Sequence, residues 1–449
     1  MSDALHLLEP SFRSYLEQAL DLAARRADQA EVYASESLVT PVIFEANRLK
    51  LIETKETRAV ALRVVVDGRV GLASSSRLGQ PATLVDDALA VAGLGAAVQY
   101  QLPGPQPLPA LQLWHADAAD WSSAAMVQAG QGMIDALRTE NADLLCEAHL
   151  GKSQATTALL NSQGVTAAYR RTAVFGSLSA NWIRGTDMLD VWEGDASPKL
   201  DLDFSALAER VLQRIRQAAR TAPAPKGQLP VIFTPKAAAD TLLGAVGSAF
   251  NGKMVLQGAS PLAGRLGEQA FDRRLSLYDD PHAAAGVASC PVDDEGVATG
   301  RLPLIEAGQI RAFYYDLQTA SLASAASTGH GQRGVGSLPA PGLTNLVFAP
   351  GDTSLEEMLA AVGKGLLVDQ TMGAWAGNTL AGEFSGNVHL GYLVEGGEIV
   401  GRVKDTMVAG NVIQALNDLL AVGDQAVWVG GAVQAPYLAF ASLGVASKA

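Results

Sequence analysis

The sequence predicts an α+β protein, with a mixed α/β N-terminal region and a hairpin-rich, largely antiparallel β domain at the C-terminus. Three observations carry this prediction. Glycine supplies 45 of 449 residues, above the ~7% usual in globular chains, which favours tight turns and bulges over helical bundles. Apolar residues recur at helical spacing in a few well-separated segments. Between these segments, short apolar runs alternate with polar residues at period two.

Two proline-rich stretches, QLPGPQPLPA (101–110) and TAPAPKGQLP (221–230), break the pattern. Neither is expected to form a regular helix or a central strand. They divide the chain into an N-terminal α/β domain (1–105), a middle α/β region (111–222) and a β-rich C-terminal domain (229–449). In the first, FRSYLEQALDLAARR aligns Phe12, Leu16, Ala19, Leu20 and Ala23 on one helical stripe. The strand-like runs AEVYASES, TPVIFEANRL and AVALRVVV follow, and Asp67-Gly68 marks a hairpin. A second helix covers LVDDALAVA. The middle region opens on the helix-like WSSAAMVQAGQGMIDALRTE, continues in strands that turn at Asn161–Gly164, and ends on a helix with Leu207, Val211 and Ile215 four apart. The last block begins with the strand LPVIFTP and the helix KAAADTLLGAVGSAF. Hairpins then centre on Ala307-Gly308 and Gly396-Gly397. In the second, Val388, Leu390, Tyr392 and Val394 alternate to one face and His389 points to the other.

Composition narrows the function. The net charge of −13 opposes binding to phosphate backbones, so no nucleic-acid partner is expected. Cys146 and Cys290 are the only cysteines, too few for a disulfide framework and in keeping with a reducing compartment. The N-terminus has no cationic leader pattern and no apolar run approaches the length of a membrane span, so a soluble cytoplasmic protein is expected.

Familiar catalytic motifs are missing. None of the six histidines is followed by Glu, which excludes HExxH and its longer variants. There is no CxxC, no GxSxG elbow and no GxxxxGK[ST] loop. Gly329–Gly334 spells GxGxxG, but an alanine-rich run precedes it and GVGSLPAPG follows, so it reads as a flexible loop rather than a dinucleotide site. Asp293-Asp294-Glu295 has the acidity for a cation or for acid–base work, and reads equally as a turn. His282 and His389 stand alone, and both cysteines read as small buried hydrophobes.

Several segments taken together nonetheless resemble one family. They are LPVIFTPKAAADTLL, SPLAGRLGE, VDDEGVATG, PLIEAGQI, PGLTNL, GNTLAGEFSG, GYLVEGGEIV and the VKDTMVAGN–helix–AVGD run. In this order they resemble the TldD/PmbA family, most strongly in the last block, more loosely in the first and least in the middle. The resemblance implies heterodimers in which one subunit is a zinc metallopeptidase. That subunit carries HExxxH on the helix after the first strand of the C-terminal domain, with a later Cys ligand, while the TldE/PmbA-type subunit lacks the zinc ligands. It also implies action on unfolded or leader peptides, and an older association with modulation of DNA gyrase.

Laid on this chain, the HExxxH positions hold Leu243, Gly244 and Ser248, and the stretch after AVGD has no Cys. Leu offers no lone pair, Gly offers no carboxylate to a metal-bound water, and a lone Ser cannot replace a three-ligand site. HExxxH spaces its histidines about 500° around an ideal helix, roughly 140° off one face. It therefore calls for a distorted helix, which Gly247 would permit. The chain thus resembles the TldE/PmbA-type subunit, with no cofactor of its own and zinc expected on a TldD-like partner. Hairpin edges around Gly377, Asn378, Gly382, Ser385, Gly386 and His389 are the candidates for walls of a peptide cleft. The expected partners are the HExxxH-bearing subunit, or a second copy when the chain is alone, and an unfolded peptide; no membrane is expected. A non-proteolytic binding or regulatory protein of the gyrase-modulator kind is the alternative. A stand-alone hydrolase using Cys290 or Ser248 is a third reading, for which the sequence shows no general base.

Overall fold

The computed structural model describes residues 3–374 and 377–447. The first half of the chain builds one seven-stranded antiparallel sheet with helices on one side. Its elements are α1 (Pro10–Ala24), β1 (Gln29–Glu45), β2 (Arg48–Ile52), β3 (Lys55–Val66), β4 (Arg69–Ser75), α2 (Pro81–Ala92), α3 (Ala116–Asp120), α4 (Ser123–Glu140), β5 (Leu145–Asn161), β6 (Thr166–Arg184), β7 (Asp187–Ser197) and α5 (Phe204–Ala218). The strand order is β4-β3-β1-β5-β6-β7, with β2 folded back on β1. β1 belongs to the first sequence segment and β5 to the second, yet they pair from Glu31↔Asn161 to Phe44↔Ala148. The proline-rich stretch at 101–110 therefore lies between two halves of one sheet.

The helices follow from the periodicity. α1 buries Phe12, Tyr15, Leu16, Ala19 and Ala23 and packs with α2 over β1 and β3. α5 starts at Asp203, whose side chain accepts the Ala206 N–H, and buries Leu207, Val211, Leu212 and Ile215. Each such side chain contributes about 1.5–3 kcal/mol on leaving water. Two features depart from the sequence reading. TPVIFEANRL is not one strand: Ala46 (φ 48°) and Asn47 (φ 68°) form the hairpin between β1 and β2, because Asn tolerates the left-handed region. β7 has no counterpart in that reading. Pro41 is accommodated within β1 because the β3 ladder has ended at Val39↔Lys55 and that of β2 begins at Val42↔Ile52.

The second half comprises β8 (Gly227–Phe233), α6 (Pro235–Phe250), α7 (Gly252–Leu256), β9 (Leu277–Asp279), β10 (Leu302–Glu306), β11 (Gln309–Ile310), α8 (Leu317–Leu322), β12 (Gly331–Gln332), β13 (Ala340–Pro341), β14 (Leu346–Phe348), α9 (Leu355–Val362), β15 (Lys364–Met372), β16 (Glu383–Glu395), β17 (Glu398–Arg402), β18 (Thr406–Asn411), α10 (Val412–Asn417), β19 (Leu419–Val429) and β20 (Val433–Ser447). An eleven-stranded sheet runs β11-β10-β9-β14-β20-β18-β16-β15-β8 with β17 and β19 alongside. Because β20 also pairs with β8, the strands β8, β15, β16, β18 and β20 close into a barrel. Most of its pairs are antiparallel; β8–β15 and β14–β20 are parallel. Phe233 packs edge-on against Phe440 at 5.1 Å and Phe384 at 6.3 Å in its core. The hairpins read from sequence turn at Asp67-Gly68, Ala307-Gly308 and Gly396-Gly397, where both central residues have positive φ. Among the described residues, no helix is long and apolar enough to cross a membrane.

Candidate functional site

The helix α6 is where the HExxxH positions fall, and its start is well defined. Thr234 caps it by accepting the Ala237 N–H, and Pro235 occupies the first turn. Ala237, Ala238, Leu242, Ala245 and Val246 are buried against the barrel. The helix runs unbroken from Pro235 to Phe250. The Gly247 carbonyl accepts the buried Tyr314 hydroxyl at 2.9 Å.

Leu243 lines a groove of about 470 Å³ between α6 and the first sheet. Facing it are Phe175, Ser177, Trp192 and Asp195, with Asp240 one turn earlier on the helix. Burial raises the carboxyl pKa of both Asp195 and Asp240. Leu243, Gly244 and Ser248 do not fit a zinc ion. Among the described residues, no group of three or more His, Cys, Asp or Glu side chains is placed to hold a metal.

A charged cluster fixes the N-terminal turn of α6 to the first sheet. Lys236 Nζ lies 2.9 Å from Glu193 Oε1 and 3.4 Å from Asp369 Oδ2. Arg214 Nη2 lies 2.9 Å from Asp369 Oδ1. Lys236 and Gln370 both donate to the Trp192 carbonyl, at 2.9 and 2.8 Å. Since β7 is an edge strand, these donors occupy a backbone acceptor that would otherwise be open to another chain.

The glycine-rich segment lies beside β16. Asn378 caps the short 3₁₀ turn Thr379–Ala381, and Gly382 ends it at φ 81°. Gly386 sits where an added Cβ would come to 3.0 Å from Ala374, a tight contact that the bare glycine backbone avoids. Glu383–Asn387 pair with β18, and the Ser385 N–H donates to the Ala374 carbonyl at 3.3 Å. The backbone of this segment is thus largely engaged within the barrel. Gly377 packs near Glu383. His389 Nε2 lies 3.2 Å from Asp190 Oδ2 on β7, which ties the barrel to the first sheet.

A second polar centre escaped the sequence reading. Asp293–Glu295 do form a turn, closed by Asp293 N–H to Val297 O at 2.9 Å, but the turn is buried. Arg63 bridges Glu31 at 2.8 Å and Glu295 at 2.7 Å, all three side chains being at most 2% exposed. Arg333 stacks on Tyr33 at 4.5 Å and reaches Glu31 at 2.9 Å. The GxGxxG segment is therefore packed rather than a flexible loop: His330 is buried, its Nε2 3.1 Å from Asp279 Oδ2 and its Nδ1 2.8 Å from the Thr328 carbonyl. Glu31, Arg63 and Arg333 lie in separate segments, and the only available sign of their meeting was three charges in otherwise apolar or glycine-rich runs. Burial pushes the Cys290 thiol up to about 12, so it carries little thiolate at neutral pH. Among the described residues, Ser248 Oγ has no hydrogen bond to a histidine or carboxylate.

The comparisons agree with this frame. Residues 226–447 match the PmbA/TldA metallopeptidase C-terminal domain, and residues 30–92 match the PmbA/TldA metallopeptidase domain 1. Metalloprotease PmbA of Escherichia coli O157:H7 is 27% identical over 435 residues, covering 90% of each chain. A metalloprotease TldD homolog of Haemophilus influenzae is 28% identical over 203 residues, 45% of this chain and 42% of its own length. The solved structure of TldE from Thermococcus kodakarensis superimposes with a TM-score of 0.89 at 25% identity, covering 96% of this chain and 100% of that one. With two of the family's domains matched in order and the fold shared along nearly the whole chain, this protein belongs to the PmbA/TldD metallopeptidase family.

Proposed function

We propose that this chain is the accessory subunit of a two-chain metallopeptidase of the TldD/TldE type, acting on unfolded or leader peptides, with the zinc on its partner. The observation that carries the reading is the composition of α6. Its frame is intact and packed, but Leu243, Gly244 and Ser248 stand where the resemblance places two histidines and a glutamate. A hydrolytic zinc needs three ligands and an open position, with a carboxylate to handle the water proton, and this helix supplies none of them. The comparisons support the same side of the family, since the PmbA relative aligns over 90% of this chain and the TldD homolog over 45%. In this reading the chain contributes walls of the peptide cleft and stability to the pair.

The test is co-expression with an HExxxH-bearing family member from the same source. Co-purification, one zinc per pair, and chelator-sensitive cleavage of an unstructured peptide that needs both chains are expected. Stoichiometric zinc on the isolated chain, or cleavage by the partner unchanged without it, would overturn the proposal.

A further inference from the structure

Beneath Gly329–Gly334, between the first sheet and the loops beside the barrel, lies a cavity of about 650 Å³. Tyr33, Tyr169 and Arg171 come from β1 and β6, and Cys290, Asp294 and Arg333 from the loops. The two carboxylates on its wall, Asp293 and Asp294, are already engaged. Asp293 Oδ1 accepts the Glu295 and Val297 N–H groups at 3.0 and 2.9 Å, and Oδ2 accepts that of Gly331 at 2.9 Å. Asp294 Oδ2 accepts the Arg333 N–H at 3.0 Å, and its carboxylate also faces the Tyr33 hydroxyl.

Donors are left over. The Arg333 side chain is fully buried; Nη2 faces Glu31, while Nε and Nη1 have no hydrogen-bond partner among the described residues. The half-buried Arg171 makes no side-chain hydrogen bond or ion pair among the described residues. The Arg333 guanidinium has no surface open to the cavity, but the unpaired Arg171 guanidinium on the cavity wall matches a carboxylate in charge and in fork geometry. Burial also raises the pKa of Asp293 and Asp294, which lessens their repulsion of an anion.

The cavity is too large for a bare ion, since a water needs only ~30 Å³. Tyr169, Arg171, Phe175 and Ser177 alternate on one face of β6. The first two line this cavity and the last two line the groove beside Leu243. Arg171 and Phe175 are about 13 Å apart along an extended strand. We propose that Arg171 binds the terminal carboxylate of an extended peptide, whose preceding residues lie along β6 toward Phe175 and Trp192 in the groove beside Leu243. This deepens the accessory-subunit reading and rests on it for the nature of the ligand.

The test uses the full chain, alone and co-purified with its zinc-bearing partner. The probes are a fluorescein-labelled unstructured peptide with a free C-terminus and the same peptide amidated, followed by anisotropy. The free acid is expected to bind about tenfold or more tightly, the worth of one charge-assisted hydrogen bond. Arg171→Gln is expected to weaken the acid to the level of the amide, with its thermal midpoint and circular dichroism reporting an intact fold. Arg333→Gln is not a test of the site, because the buried Arg333 pairs with Glu31 rather than facing the cavity. Equal binding of acid and amide, an acid preference that survives Arg171→Gln, or no binding of either peptide in either preparation would overturn the proposal. Competition by inorganic phosphate without any acid–amide difference would also overturn it, marking a site for small anions. Because binding rather than cleavage is read, the two proposals fail separately. An acid preference in a chain that pairs with no zinc subunit would sink the accessory reading alone.

Discussion

Arg63→Met should destabilise the protein in a pH-dependent way. Arg63 bridges Glu31 and Glu295, 2.8 and 2.7 Å away, and its Nη1 also donates to the Tyr100 hydroxyl at 3.2 Å; Glu31 has a second cation in Arg333, at 2.9 Å. Methionine keeps much of the volume but leaves the buried Glu295 without its counter-charge and Glu31 with Arg333 alone. Removing one partner of a buried pair costs about 3–5 kcal/mol. In the native protein, burial raises the Glu295 pKa while Arg63 opposes the rise. Without Arg63 the folded-state value climbs further. A carboxyl raised on folding contributes its stability below its unfolded value, ~4.3, and loses it as pH rises through the folded value. The variant should therefore be penalised most at pH 8 and least near pH 5, by ~1.4 kcal/mol for each unit of additional shift. Urea denaturation of both proteins at the two pH values, followed by tryptophan fluorescence, measures this. Adding Glu295→Gln should recover part of the loss at pH 8. A loss below about 1 kcal/mol, far under the buried-pair range, or a larger loss at pH 5 than at pH 8, would refute the reasoning.

Further predictions concern other links in the structure. Gly71→Ala should cost about 1–3 kcal/mol, read as a lowered thermal midpoint, because the new Cβ overlaps the Ala88 carbonyl and Ala92 where α2 packs on β4. Asp187 accepts from Lys404, Arg402 and Arg184, and the Lys404 contact leads in holding its carboxyl below the usual range. Asp187→Asn should cost no more than ~1 kcal/mol near neutral pH. Because a depressed pKa contributes stability only above the unfolded value, that difference should vanish as the pH falls through the folded value; paired melts across an acid series check the sign. Leu243→His combined with Gly244→Glu and Ser248→His should not confer stoichiometric zinc, measured by elemental analysis after dialysis. Positions 243 and 248 diverge by roughly 140° on an unbroken helix, and no Cys follows AVGD.

Much of the local structure was legible because it depends on near neighbours. Leu207, Val211 and Ile215 mark the buried stripe of α5 by spacing alone. Asp67-Gly68 and Gly396-Gly397 mark hairpins because few residues accept two successive positive φ values. The Ala46-Asn47 turn was harder to see because its flanks, TPVIFE and RLKLI, read as one β-prone run. β7 was missed because WEGDAS carries the polar residues of an edge strand, whose carbonyls are satisfied by Lys236, Gln370 and Arg402 rather than by a neighbouring ladder. The family was legible from the order of short segments, and so was the replacement of the HExxxH residues on α6.

The sequence by itself determined the longer helices, the turns marked by glycine, the family and the identity of the residues at the motif positions. All are properties of contiguous residues, governed by backbone preference and periodicity. Tertiary structure alone decided that β1 and β5 join two segments into one sheet and that β20 closes a barrel on β8. It also decided that Arg63, Arg333, Glu31 and Glu295 meet in one buried cluster, and that Arg171 shares a cavity with Arg333. A charge surrounded by apolar neighbours in sequence reads only as an exposed residue or a misfit. Its partner, some 30 or 230 positions away, is chosen by how the sheet and the barrel pack, because only that packing removes the water that would otherwise solvate each charge separately.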